Sequence, residues 1–221
     1  MSRRRPTPRW VYTQLLAAYG FQGWWPADSR FEILVGAILT QGTAWHNVEQ
    51  AIAALRRARL LSARGLVDAS APALAECLRP SGYFNVKARR LHGLARWYLD
   101  AGGYRRLARH ATARLRAMLL EVHGVGPETA DDILLYVFQR PVFVIDAYTR
   151  RLFARLELAP ADARYEDLQR WLQETLHAEV QVYNEFHALI VRHAKVACRR
   201  KPVCGGCRLR ARCAVGANGL S

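Results

Sequence analysis

The sequence predicts an all-α fold, and three features carry that expectation. Apolar residues recur three and four apart through most of the 221 residues, the spacing of one helix face. Helix start and stop signals alternate along the chain. Only Pro141 to Ile145 reads as extended, and a single short strand has no second strand to take its backbone groups.

The elements follow in order. Trp10, Leu15, Leu16 and Tyr19 mark a first helix that ends before Gly20. Ser29 with Glu32 forms a capping box that opens a nearly all-apolar helix. Asn47 to Leu55 continues helical, with Val48, Ile52 and Leu55 as its apolar positions. Ser70-Ala71-Pro72 is a start signal and Pro80-Ser81-Gly82 a stop. Leu91, Leu94, Trp97 and Tyr98 line the next helix, which stops at Gly102-Gly103. Leu115 to Glu121 and Pro127 to Gln139 form a helical hairpin, and Tyr148 to Leu156, Tyr165 to Leu176 and Val182 to Val196 supply three more helices.

A hydrophobic content of 51% with 23% charged residues describes a folded chain, not a disordered one. No apolar run reaches the roughly 18 residues of a membrane span. Phe31 to Leu39 is short and contains Glu32, so it reads as a buried helix. The first residues, Met1 to Arg9, have no apolar core behind them and read as a frayed basic arm. The chain is expected to be cytoplasmic, monomeric and free of membranes. Its formal net charge of +15 favours a polyanionic partner, nucleic acid before an anionic membrane surface.

Gly124 and Gly126 bracket one residue between the hairpin helices, and Pro127 sits where the second helix starts. Glycine lets the backbone turn tightly and approach a ligand, and proline suits a first helical position. The amides of that first turn, with the positive helix end, make an anion site. In so basic a chain the anion reads as a nucleic-acid phosphate. The alternative is a tight helix–helix turn with no ligand.

Cys198, Cys204, Cys207 and Cys213 lie within sixteen residues as C-x5-C-x2-C-x5-C. Cys77 lies far away and reads as a small buried apolar residue. Four close cysteines in a cytoplasmic protein favour metal over disulfides. The spacing alone leaves zinc and a [4Fe–4S] cluster both open, with a mainly structural role for either.

Hairpin, Asp146 and four-cysteine loop, in that order, resemble the helix-hairpin-helix DNA glycosylases of the endonuclease III type. The resemblance covers nearly the whole chain. Ile38-Leu39-Thr40-Gln41-Gly42-Thr43-Ala44-Trp45 is similar to the family's segment carrying a DNA-inserting glutamine, and Gly82-Tyr83-Phe84-Asn85-Val86-Lys87-Ala88 to a second DNA-contacting loop. Gly23 to Ala27, and Tyr183-Asn184-Glu185-Phe186-His187, look like the branch of endonuclease III-related proteins and 3-methyladenine DNA glycosylases.

This resemblance implies a two-lobed helical protein. Residues 29–139 would form a six-helix bundle with the hairpin at about 116–139, and residues 1–28 plus 140–221 a cluster domain, with the active cleft between them. It implies a [4Fe–4S] cluster on the four cysteines and double-stranded DNA with damaged bases as the partner. The implied function is a base-excision glycosylase that flips its target base, here expected to be an alkylated purine such as 3-methyladenine. Bifunctional relatives carry a lysine in the second hairpin helix where this chain has Glu128. A carboxylate cannot form a Schiff base, so a monofunctional enzyme is expected. Two other readings stay open: a glycosylase for oxidised or mismatched bases with weak lyase activity, and a non-enzymatic DNA-structure binder or redox sensor.

The site residues follow. Asp146 reads by itself as a helix N-cap. The resemblance makes it the carboxylate that stabilises positive charge on the deoxyribose and orients water. Gln41 and Tyr83 would fill the gap left by the flipped nucleotide, with Lys87 and Thr129 also on DNA. Gly124, Gly126 and the amides that follow would hold a DNA phosphate. Trp24, Trp25 and Trp45 would surround the base, because indole faces attract cationic purines, with Glu128, Asn184 and His187 as polar lining. The plainer readings are core packing for the tryptophans, and satisfaction of buried backbone groups for the polar residues around 184–187.

Overall fold

The computed structural model describes residues 5–177 and 179–217, so Met1 to Arg4 of the expected basic arm lie outside the described residues. Thirteen α-helices and no strand occur among the described residues. They are α1 (Pro8–Tyr19), α2 (Arg30–Leu39), α3 (Trp45–Arg57), α4 (Ala63–Asp68), α5 (Ala71–Leu78), α6 (Phe84–Asp100), α7 (Gly103–Leu107), α8 (Thr112–Leu120), α9 (Pro127–Asp132), α10 (Ala147–Arg155), α11 (Tyr165–Leu176), α12 (Val180–Val196) and α13 (Ala214–Ala217). The all-α expectation holds. The chain divides into two compact units, Trp25–Arg140 and a discontinuous one made of Met1–Trp24 with Pro141–Ser221.

In the unit Trp25–Arg140, local signals set the helix ends. Ser29 Oγ accepts from Glu32 N at 3.1 Å and opens α2, whose Leu34, Val35, Ile38 and Leu39 are fully buried. The buried Glu32 carboxylate is paired with Arg56 of α3 at 2.9 Å. Gly36, inside α2, makes room for an indole: a β-carbon there would lie 2.7 Å from Trp25 Cζ2. The hairpin helices α8 and α9 are pinned by a forked ion pair in which Arg116 Nε and Nη2 donate to Asp131 Oδ1 at 2.7 Å and Oδ2 at 3.1 Å.

The second hairpin helix departs from its expected course. Its α-helical part ends at Asp132, and Ile133–Val137 continues as a π-helical turn, closed by Phe138 N donating to Ile133 O at 3.2 Å. Ile-Leu-Leu-Tyr-Val is apolar on every side, so no polar face fixes a 3.6-residue register, and all five residues are buried. Turns of this kind occur mostly as single-turn bulges inside α-helices. Gln139, with φ of 53°, then ends the element.

In the other unit, α1 opens on Thr7, whose Oγ1 accepts from Trp10 N at 3.2 Å. The extended stretch before Asp146 has no strand partner. Helix α11 supplies one through side chains: Gln173 Oε1 accepts from Phe143 N at 2.9 Å and Gln169 Nε2 donates to Phe143 O at 2.7 Å. Tyr165 Oη accepts from Ile145 N at 3.3 Å. Phe143, Phe153 and Phe186 are fully buried and form the aromatic centre of this unit.

Asp131 is completely buried against Arg116. Removing one partner of such a pair leaves an uncompensated charge and costs about 3–5 kcal/mol. Asp131→Ala is therefore expected to lower unfolding free energy by an amount of that order in urea titrations followed by circular dichroism.

Candidate functional site

The hairpin turn is built around Gly124, at φ of 86°, a left-handed conformation that disfavours a side chain. It also lies under the stem of Arg90, and a β-carbon at this position would sit 2.5 Å from Arg90 Cδ and Cγ. Gly126 is the N-cap of α9 with extended φ of −91° and ψ of −179°, and Pro127 follows at the first position. Gly126 has no side chain to occupy the first-turn amides, so this helix end can accept an anion from outside.

Gln41, in the turn between α2 and α3, is bound to this hairpin. Its Nε2 donates to Gly124 O and to Thr129 Oγ1, both at 2.9 Å. Its Oε1 accepts from Arg90 Nη1 at 2.5 Å. Tyr83 is the opposite case. It is 77% exposed and left-handed, with φ of 45° and ψ of 32°, which costs an L-residue roughly 1–2 kcal/mol. A strained, exposed aromatic at a loop tip is suited to contact with a partner.

Lys87, expected on DNA, is an interior clamp instead. It is 1% exposed, and Nζ donates to Leu39 O at 2.8 Å, Thr43 Oγ1 at 2.5 Å and Ser81 O at 2.8 Å. All three ammonium protons have protein acceptors, leaving none for a phosphate. Thr43 Oγ1 in turn donates to Ser81 O at 2.6 Å, so Lys87 joins the turn carrying Gln41 to the loop carrying Tyr83.

Trp25 and Trp45 pack edge to face with centroids 5.5 Å apart, and Tyr136 meets Trp25 at 5.3 Å. This cluster combines the pocket and core readings, since both tryptophans remain half-buried. Glu128 is exposed in the first turn of α9. In the other unit, Trp24 and Asn184 are half-buried. The buried Glu185 accepts from the backbone of Gln22 at 2.6 Å and Gly23 at 3.3 Å, which fixes the segment leading to Trp24.

Asp146 is the N-cap of α10, with Oδ1 accepting from Thr149 N at 2.7 Å. His187 Nε2 of α12 lies 3.6 Å from Oδ2. Burial pushes this carboxyl upward, but hydrogen bonding and charge from His187, with the Thr149 contacts, outweigh it and hold the group below its ordinary value.

The four clustered cysteines line one cavity with Leu152, Leu156, His193, Val203 and Leu209. All are free thiols. Arg155 of α10 donates to Cys198 Sγ at 3.2 Å, Arg199 O at 2.6 Å and Arg200 O at 2.9 Å. His193 Nε2 lies 3.7 Å from Cys207 Sγ, with Nδ1 at 2.8 Å from Tyr19 Oη. Among the described residues no three His, Cys, Asp or Glu side chains are gathered as a single-ion site.

Residues 35–178 match the model of the HhH-GPD superfamily base excision DNA repair protein. The chain belongs to this superfamily. It is 42% identical over 206 residues to a Methanocaldococcus jannaschii protein bearing the provisional name of DNA repair glycosylase, covering 92% of this chain and 94% of that one. The structure is similar to the H. pylori 3-methyladenine DNA glycosylase bound to 1,N6-ethenoadenine, with a TM-score of 0.76, 27% identity, and coverage of 86% of this chain and 98% of that one. It shares its fold with a non-covalent endonuclease III–DNA complex, with a TM-score of 0.80, 18% identity, and coverage of 96% and 98%. The protein is a DNA-binding base-excision glycosylase.

Arg90, Arg155, Gly36 and Tyr136 were not singled out by the sequence. The only hint for Arg90 was its place three residues after Lys87, on one helix face. Burial, with the nearby Arg90 charge, lowers the Lys87 pKa from 10.5 to about 8. The unfolded chain then binds more protons between those values, so this residue's contribution to stability rises as pH climbs through that window. The urea midpoint of wild type is expected to gain more than that of Lys87→Met between about pH 7 and about pH 10.

Proposed function

We propose that the protein is a monofunctional glycosylase for alkylated purines, with Asp146 as the catalytic carboxylate. The carrying observation is the buried Asp146 carboxyl, held on one side by Thr149 N at 2.7 Å and approached on the other by His187 Nε2 at 3.6 Å. Cleavage of an N-glycosidic bond leaves positive charge on the sugar. A negative charge already fixed in place stabilises it without reorganisation and can orient or deprotonate the attacking water. An alkylated purine is already a good leaving group, so the site needs little acid assistance. The Trp25–Trp45 cluster and Trp24 offer indole faces to a cationic base, and the likeness to the H. pylori glycosylase supports the same substrate class.

Glu128 stands at the position of the lyase lysine, and its carboxylate cannot form an imine. The exposed Tyr83 and the Gln41 turn would enter the duplex, and the α9 end would take a phosphate. A base-release screen over alkylated, oxidised and deaminated duplexes should show release of alkylated purines and no nicking before alkali. Asp146→Asn should abolish release and spare DNA binding. Asparagine caps a helix about as well as aspartate, so the melting temperature should stay near wild type. Strand cutting without alkali, or release retained in Asp146→Asn, would overturn this reading.

The donor set of the cysteine cavity fits a [4Fe–4S] cluster. All four cysteines line one largely apolar cavity, and the Arg155 guanidinium, which donates to Cys198 Sγ at 3.2 Å, would offset thiolate charge. Cys198, Cys204, Cys207 and Cys213 would be the ligands. A bound cluster would brace the loop, and Arg155 and Arg151, which donates to Cys198 O at 2.9 Å, anchor that loop to α10. Protein purified without air is expected to be brown and to yield equal iron and sulfide on chemical analysis. Stoichiometric zinc would contradict the assignment.

A further inference from the structure

The side chain expected to enter DNA stands folded back on the protein. Gln41 uses both amide protons and one acceptor site on protein atoms. Those atoms belong to three separate elements: Gly124 in the hairpin turn, Thr129 in α9 and Arg90 in α6. The fit is specific, because Arg90 reaches Gln41 by lying across Gly124, where a β-carbon would collide with its stem. The two ends of the same turn are held independently, by Lys87 on Leu39 O at the end of α2 and on the Thr43 side chain. Side chain and backbone thus have different anchors, and Gln41 can leave while its turn stays in place.

We propose that Arg90 and Thr129 are positioning residues that dock Gln41 on the hairpin, and that capture of a DNA phosphate at the hairpin releases it for insertion. This rests on the reading of Gln41 as the residue that fills the vacated stack. The exchange follows from bond strengths. Arg90 donates to a neutral amide oxygen in the free protein. A phosphate arriving beside Gly124 and Gly126 offers a charge-assisted bond about twice as strong. As Arg90 turns to the phosphate, Gln41 loses its acceptor contact, and two neutral bonds remain to be broken. Insertion is thereby tied to correct seating of the backbone, and free Gln41 is not presented to undocked DNA.

The test uses the full-length protein and a duplex with 2-aminopurine beside a tetrahydrofuran abasic analogue, so no base release is needed. Stopped-flow fluorescence gives the unstacking rate and titration gives the affinity. Thr129→Val removes one docking bond, and unstacking is expected to accelerate on the order of two- to tenfold. Thr129→Ser should restore the wild-type rate. Arg90→Met should also unstack faster when saturated, but bind more weakly and with a shallower salt dependence. Variants that keep their fold and match or lag a wild type that does unstack overturn the dock alone. A wild type that binds but never unstacks the reporter overturns the dock together with the glycosylase reading. If a variant fails to fold, the nitrogen-15 side-chain amide signal of Gln41 decides in the wild type. It should be exchange-protected in the free protein and lose that protection on adding the duplex; a signal that does not change overturns the proposal.

Discussion

Backbone groups in the described loops have no sheet to pair with, and long polar side chains, buried or half-buried, supply partners for several of them. Glu185 accepts the amides of Gln22 and Gly23. Lys87 serves Leu39 and Ser81, Gln173 and Gln169 serve Phe143, and Arg155 serves Arg199 and Arg200. An unsatisfied buried polar group costs roughly 1–3 kcal/mol, so the buried Glu185 and Lys87 each select one loop shape over its alternatives. The segments given side-chain partners include those carrying Gln41, Tyr83, Trp24 and Asp146.

Two helix starts, one in each unit, use the same electrostatics differently. Helix α10 begins with its own carboxylate, Asp146, which satisfies Thr149 N. Helix α9 begins with Gly126, which has no side chain to offer. One positive end is capped from within by its own carboxylate. The other is left for an anion from outside. Glu128, in the first turn of α9, is exposed to solvent, whereas Asp146 is buried, and a carboxylate stabilises an adjacent cation far more strongly out of water.

The elements legible in the sequence were those with local causes. Ser29 and Glu32 place the start of α2, and Gly20 and Gly102 end α1 and α6, because caps and left-handed glycines act within a few residues. The π-helical turn was not legible, since an apolar run gives no face by which to judge its register. The short helix α4 carries too few residues for a period. Asp146 could be found as a cap from neighbours alone, and its pairing with His187 joins positions forty-one residues apart. Lys87 misled because its segment resembles a DNA-contacting loop, while two of its three acceptors, Leu39 O and Thr43 Oγ1, come from more than forty residues away. The same distance hid the contacts of Gln41 with Gly124, Thr129 and Arg90.

Gly36 also constrains how this protein can change. The indole of Trp25 occupies the space that any larger residue at 36 would need, and the same indole meets Trp45 and Tyr136. An evolving lineage could not enlarge position 36 first, because the ring would be evicted before anything gained from it. A smaller residue at 25 would have to come earlier, opening a void that a later side chain at 36 could fill. The route to a differently shaped aromatic cluster is therefore ordered in time, and its intermediate is the less well packed protein.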